Sequence, residues 1–104
     1  MRALARYLRD LAPYFAVRWH HDSPDGPVLL FEELNEQRLE TRKVEQFADG
    51  RRIRSDRIAP DLDTSLSWEP VPSEAEIDSQ PEFSVELLTA DEFEAVWSSA
   101  RGSQ

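Results

Sequence analysis

Two adjacent histidines and two nearby aspartates are the part of this 104-residue chain that comes closest to a reactive cluster. His20, His21, Asp22 and Asp25 lie within six residues, and imidazole and carboxylate groups are ligands that zinc accepts. Successive side chains on a strand point to opposite faces, so the two histidines enter one site only if the strand ends between them. Because the chain has no cysteine to complete a ligand set, we predict no metal and no cofactor, and a turn-capping role for Asp22. The four residues remain an alternative site.

Hydrolytic and phosphate-transfer chemistry has no supporting motif. A serine hydrolase would have to recruit one of the two histidines, and the sequence lacks G-x-S-x-G, a Walker loop and G-x-G-x-x-G. Any pair of carboxylates could be chosen from 21 acids, so such a pair carries no information. We therefore predict that the chain is not an enzyme.

Charge is divided unevenly along the chain. The formal net charge is -9, and residues 61–104 hold eleven of the 21 acids but only one of the twelve basic residues. An acidic surface can serve solubility alone, but its field also repels nucleic acid and anionic lipid and steers basic proteins toward it. We predict a basic protein as partner, with no nucleic acid and no membrane. The candidate partner-binding residues are Asp61, Asp63, Glu69, Glu74, Glu76, Asp78 and Glu82.

A basic region interrupts the N-terminal part of the chain. Acids are interleaved with it, and the acidic tail follows. We therefore predict that its side chains pair with carboxylates on a solvated sheet face or against the tail, rather than read nucleic acid. The region consists of Arg42, Lys43, Arg51, Arg52, Arg54 and Arg57.

Extended patterns dominate the first half of the chain. Apolar residues at helical spacing predict an N-terminal helix over residues 1–12, which Pro13 ends. Alternating patterns separated by turn residues predict four strands in series, with a bulge near Glu45 in the third, and hence an antiparallel meander over residues 14–58. The strands are expected at about 15–20, 28–34, 39–47 and 51–58, with turns at 23–27 and 49–50.

The second half begins with a proline-rich connection over residues 59–72, which we expect to carry Trp68 into the core. Trp19 and Trp97 are also predicted to be core residues. Capping-box patterns at Ser73 and Thr89 then predict a short helix ending near Ser79 and a helix over about 90–100, with a short strand over 83–88 between them.

The predicted architecture is one α+β domain over residues 1–104. An antiparallel four- to five-stranded meander sheet carries the N-terminal helix, the short helix and the C-terminal helix, and residues 73–100 form an acidic helical part. No apolar run is long enough to span a bilayer, and charged residues interrupt the apolar N-terminal stretch where a secretory signal would be uniform. We predict a cytoplasmic protein.

Several motifs resemble, in their order, an uncharacterised family of small bacterial proteins known only as a domain of unknown function. The stretches RWHHDSPDGPVLLFEELNEQRLETRKVEQFADG, WEPVPSEAEIDSQPEF and LTADEFEAVW are similar to members that run W-x-H-D-x-P-x-x-P-V and E-x-R-K-V-E-x-F-x-D-G. The resemblance covers about residues 14–98. Members look like neighbours of secreted polymorphic toxins, a class in which acidic folds serve as immunity proteins, so the resemblance implies an immunity function by analogy.

We therefore expect a small acidic protein-binding inhibitor, an immunity protein or antitoxin that blocks a cognate bacterial toxin domain. An alternative is a phage-type or regulatory inhibitor that acts as a DNA mimic on a nucleic-acid-binding enzyme. A small hydrolase or ligand-binding domain that uses the turn from His20 to Asp25 is a third interpretation.

Overall fold

The computed structural model describes residues 13–57 and 66–102. This part of the chain contains six strands and two helices. The predicted helix over residues 1–12 lies outside the described residues. The elements are β1 (Tyr14–Trp19), β2 (Leu29–Leu34), β3 (Glu40–Gln46), β4 (Arg52–Asp56), α1 (Glu74–Asp78), β5 (Phe83–Leu87), α2 (Ala90–Ser99) and β6 (Arg101–Gly102).

One sheet contains all these strands, in the order β5-β1-β2-β3-β4-β6. Strands β1 to β4 form the predicted antiparallel meander, and β5 adds to it antiparallel beside β1. The α+β class with a five-stranded antiparallel sheet and two helices is therefore confirmed. The two-residue β6 pairs in parallel with β4 and was not predicted, because two residues are too few to show a pattern.

The two helices cover opposite faces of the sheet. On the α1 face, Phe15, Val17 and Leu34 pack with Ile77 of α1. On the α2 face, Ala16, Phe31 and Val44 pack with Phe93 of α2. Phe15, Ala16 and Val17 are consecutive and all buried, so β1 has two buried faces rather than the one that simple alternation predicted. Neither helix has the length and apolar character that crossing a bilayer requires, in the part of the chain described here.

The turn between β3 and β4 forms as predicted, whereas the predicted bulge in β3 does not. Gly50 has a φ of 91°, which the predicted Asp49-Gly50 turn requires and a glycine adopts without strain. The predicted bulge near Glu45 is wrong, since the β2–β3 ladder runs without interruption there and shifts register instead between Glu33 and Leu34. Phe47 lies beyond β3, so its side chain has no place in the strand alternation.

Both predicted helix starts are confirmed. The Ser73 hydroxyl accepts a hydrogen bond from the backbone N–H of Glu76 and caps α1. At α2 the exchange is reciprocal, since Thr89 accepts from the Glu92 N–H while the Glu92 carboxylate accepts from the Thr89 N–H.

Candidate functional site

Trp68 is the one large hydrophobic side chain that residues 13–57 and 66–102 expose, with 74% of its surface accessible. The prediction that it enters the core is wrong. Its neighbours take the inward positions instead: Leu66 is 5% exposed, and Val71 packs against the cluster on the α1 face. Tryptophan is enriched at protein interfaces, where both its apolar ring and its indole N–H find partners.

The Arg57 guanidinium supports the ring of Trp68 from below. Its carbon lies 4.3 Å from the ring centroid, within the range of a cation–π contact. Arg57 is itself held at two points, since its Nε donates to the backbone carbonyl of Glu40 at 2.7 Å and its Nη2 to that of Ser67 at 2.6 Å. The indole therefore rests on a positioned charge rather than on a mobile side chain.

The backbone on both sides of Trp68 is also tied down. The Ser67 N–H donates to the Glu40 carboxylate at 2.6 Å, and the Glu69 N–H donates to the Ser67 hydroxyl at 3.1 Å. Leu66, the residue before them, is buried. A side chain presented by ordered backbone loses less conformational entropy when it binds a partner.

A buried carboxyl pair lies beneath this segment. Glu32 and Glu40 are each 4% exposed and hydrogen-bonded to one another, and the Glu40 Oε1 also lies 3.5 Å from the Lys43 ammonium. Burial, then the hydrogen bond and charge of Glu40, raises the pKa of Glu32 well above its usual value. Burial opposes ionisation of Glu40 too, but the hydrogen bond from Glu32, the Lys43 charge and the Ser67 N–H together lower its pKa. These directions favour a shared proton on Glu32, with Glu40 as the carboxylate that accepts from the Ser67 N–H.

The acids predicted to bind the partner are placed differently from one another. Glu74 is buried and forms an ion pair with Arg38, whose guanidinium also donates to the backbone carbonyls of Val71 and Pro72. It joins α1 to the β2–β3 turn, which is a structural role. Asp61 and Asp63 lie outside the described residues. The exposed members of the set are Glu69, Glu76, Asp78 and Glu82.

The histidine turn is held together by its own hydrogen bonds. The ring of His21 donates from Nε2 to the Pro27 carbonyl at 2.7 Å and accepts the Ser23 N–H at Nδ1, while it packs edge-on against Trp19. His20 is exposed and lies 2.7 Å from the Ser84 hydroxyl. Among the described residues no group of three His, Asp or Glu side chains is arranged to hold a metal ion. His20, His21, Asp22 and Asp25 thus show a turn with one locked imidazole rather than convergent ligands.

The prediction for the basic region holds for only part of it. Arg42 pairs with Glu33 at 2.7 Å and with Glu94, and Lys43 pairs with Glu40. For the other four residues the prediction of pairing with carboxylates is wrong, as far as the described carboxylates are concerned. None of these carboxylates lies within ion-pair distance of the four guanidinium groups, and each guanidinium packs on an aromatic ring instead. The four stacks are Arg51 on Phe47, Arg52 on Phe31, Arg54 on Trp97 and Arg57 on Trp68.

Sequence reasoning missed Trp68 as a surface residue and Arg57 and Glu40 as its supports. One local signal was available, since Trp68 follows serines and precedes Glu69 and Pro70, a polar and proline-rich setting that is unusual for a core tryptophan. Nothing local marks Glu40 or Arg57, whose contacts join residues 10 to 27 positions apart.

Comparison with known proteins gives one match. A family model with the description "Domain of unknown function (DUF6881)" matches residues 13–102, a range that includes every element described above. No curated protein and no solved structure matches the chain.

Proposed function

The chain belongs to the DUF6881 family, whose description assigns no activity, and we propose that it acts in the cytoplasm as a small acidic protein-binding inhibitor. In this proposal it is an immunity protein or antitoxin, and it binds and blocks a basic toxin domain. The surface that binds is centred on Trp68.

The observation that carries the proposal is the exposed indole of Trp68 on its fixed support. Tryptophan is among the residues that contribute most to binding energy at protein interfaces, where it fills a pocket of the partner. Hydrogen bonds from Ser67 and Arg57 to Glu40 hold this one in place before any partner arrives. Such pre-organisation lowers the entropy cost of association and lengthens the lifetime of the complex.

Charge supports a basic partner. The net charge is -9, and four exposed acids follow Trp68 within fourteen residues of sequence. A negative field of this kind accelerates encounter with a positively charged groove, and screening by salt weakens the acceleration. Trp68 would then set the lifetime of the complex while the acids set its rate of formation.

The experiment is a pull-down with tagged protein from native lysate, or from cells that express the neighbouring gene, with mass spectrometry of the retained protein. We expect one basic partner, and we expect Trp68→Ala to weaken binding about 30- to 1,000-fold, a loss of about 2 to 4 kcal/mol. Because the ring is exposed, the variant should keep the far-UV circular dichroism and melting temperature of the parent. Trp68→Phe, which keeps an aromatic surface, should lose less.

A matched pair of charge variants tests the acids separately. The double variant Glu76→Gln/Glu82→Gln should slow association and flatten its salt dependence. The double variant Glu86→Gln/Asp91→Asn removes the same charge at two other exposed positions and should change the association rate less. Retention of the partner by Trp68→Ala with unchanged affinity would contradict the proposed surface. A retained nucleic-acid-binding enzyme in place of a toxin would contradict the immunity assignment.

A further inference from the structure

A second candidate site lies on the opposite side of the sheet from Trp68. A cavity of about 710 Å³ opens where the β3–β4 turn, the end of α2 and β6 meet. Among the described residues that line it, none carries a carboxylate, although the chain has a net charge of -9. The lining residues are Gln46, Gly50, Arg51, Arg52, Ser99 and Arg101.

Arg52 is fixed in this cavity by neutral partners. Its Nε donates to the Gln46 side-chain oxygen at 2.7 Å and its Nη1 to the Ser99 hydroxyl at 2.7 Å, while its face covers the Phe31 ring at 5.3 Å. No described residue accepts a hydrogen bond from its Nη2. The guanidinium is therefore oriented while its positive charge is not neutralised by any described carboxylate.

Arg51 and Arg101 bring two further charges to the cavity from different elements. Arg51 follows the Asp49-Gly50 turn and stacks on Phe47 at 4.5 Å, and its side chain donates to no described residue. Arg101 lies in β6, beside Ile53 of β4, and is exposed. Stacking on an aromatic face leaves the edge of a guanidinium, where its N–H groups lie, available to an anion.

Helix capping explains only part of this arrangement. Cations near the C-terminal end of a helix are favourable, and Arg54 donates to the Trp97 carbonyl at 3.1 Å in the last turn of α2. Arg52 reaches the same helix end through Ser99. Neither Arg51 nor Arg101 donates to a carbonyl of α2, so capping does not account for their place in the lining.

Two arginines elsewhere in the chain do form ion pairs with carboxylates. Arg38 is paired with Glu74, and Arg42 with Glu33 and Glu94. Three arginines without a described carboxylate partner line a single cavity in the same chain. Leaving them together costs repulsion between like charges, which an anion in the cavity would relieve.

We propose that this cavity binds a phosphate dianion, either inorganic phosphate or the phosphate group of a small phosphomonoester. Arginine forks match the geometry of phosphate oxygens and bind them bidentately. Three positive charges suit a dianion better than a single carboxylate, and a cavity of this volume lies within the range of small-ligand sites, about 300 to 1,000 Å³. A long nucleic acid would extend over the acidic surface outside the cavity, whereas a small phosphate ligand would lie closest to the three arginines.

The test is calorimetric titration of the full chain with inorganic phosphate and, separately, with AMP, at a constant ionic strength set by chloride. We expect saturable one-to-one binding of at least one probe. Arg101→Gln and Arg52→Gln should each weaken binding at least tenfold, while Arg18→Gln should leave it unchanged. Arg18 is exposed on β1 and does not line the cavity, so its replacement is the matched change of charge.

The two probes distinguish the two sources of the ligand. Equal affinity for phosphate and AMP identifies the phosphate group itself as the ligand, and tighter binding of AMP identifies a phosphomonoester whose organic part also contacts the cavity. Arg101 is exposed at the end of the sheet, so Arg101→Gln keeps the test valid even if Arg52→Gln unfolds. If neither probe shows saturable binding up to about 10 mM, the Kd of any one-to-one site is weaker than about that concentration. This result would overturn the proposal. An equal loss of affinity in Arg18→Gln would also overturn it.

Discussion

Replacing Phe93 with alanine is expected to lower the free energy of unfolding by about 3 to 5 kcal/mol. Phe93 is fully buried, and it joins α2 to the sheet by packing in one cluster with Ala16, Phe31 and Val44. Its ring also lies 5.4 Å from that of Tyr14. A ten-residue helix is only marginally stable alone, so loss of this contact should loosen the whole α2 face.

Urea unfolding followed by circular dichroism measures this loss, with Phe47→Ala as the matched control. Phe47 is half-buried beyond the end of β3, so the same truncation should cost about 1 kcal/mol or less. Equal losses in the two variants would show that Phe93 is not the main link between α2 and the sheet.

Replacing Glu40 with alanine is expected to cost about 3 to 5 kcal/mol, because it removes one partner from a buried charged cluster. Lys43 would lose its ion pair with Glu40, Glu32 would lose its hydrogen bond to Glu40, and the Ser67 N–H would lose the Glu40 acceptor. The effect should extend to the proposed binding surface, since Ser67 precedes Trp68. We expect faster hydrogen exchange at the Ser67 amide and weaker partner binding even under conditions where the variant remains folded.

Glu36→Ala is the control for this change, because Glu36 is exposed in the β2–β3 turn and its loss should cost less than about 0.5 kcal/mol. Normal exchange at Ser67 in a folded Glu40→Ala protein would show that the carboxyl pair does not support Trp68.

The variant Glu32→Gln tests the same buried cluster through the pH dependence of its stability. The folded pKa of Glu32 is raised, so its favourable contribution is complete below the unfolded value of about 4.5 and is lost as pH rises toward the folded pKa. Glutamine donates a hydrogen bond to Glu40 at every pH and has no proton to lose. As the pH rises above about 5, we expect the free energy of unfolding of Glu32→Gln to increase relative to that of the parent, by up to about 1.4 kcal/mol per pH unit. Parallel stability curves for the two proteins would contradict the assignment of the shared proton to Glu32.

Sequence patterns predicted the elements whose determinants are local. Gly50 supplies a backbone conformation that few other residues adopt, and Ser73 and Thr89 satisfy N–H groups within three residues of themselves. Such signals depend on neighbours in sequence and need no tertiary information. This explains why the meander, both helix starts and the short β5 were predicted within one or two residues.

The surface around Trp68 could not be predicted in the same way. Whether an aromatic in an irregular segment faces the core depends on which neighbour fills the available space, and here Leu66 and Val71 fill it. The ion pair of Glu74 could not be predicted from charge counting either. Glu74 is acidic in the sequence, and in the structure it forms an ion pair with Arg38, a residue 36 positions away. Distant partners decide which acids and arginines remain available to a ligand.

The parallel pairing of Arg101 and Gly102 with Ile53 and Arg54 covers part of the outer edge of the sheet. An uncovered edge strand presents unpaired N–H and C=O groups, on which a second chain can add its own strand and begin aggregation. The short β6 occupies part of that row, and the charged side chains of Arg52 and Arg54 flank it. The short β6 thus has a protective consequence: it prevents a second chain from pairing with the part of β4 that it covers, and its removal would expose that part of the edge.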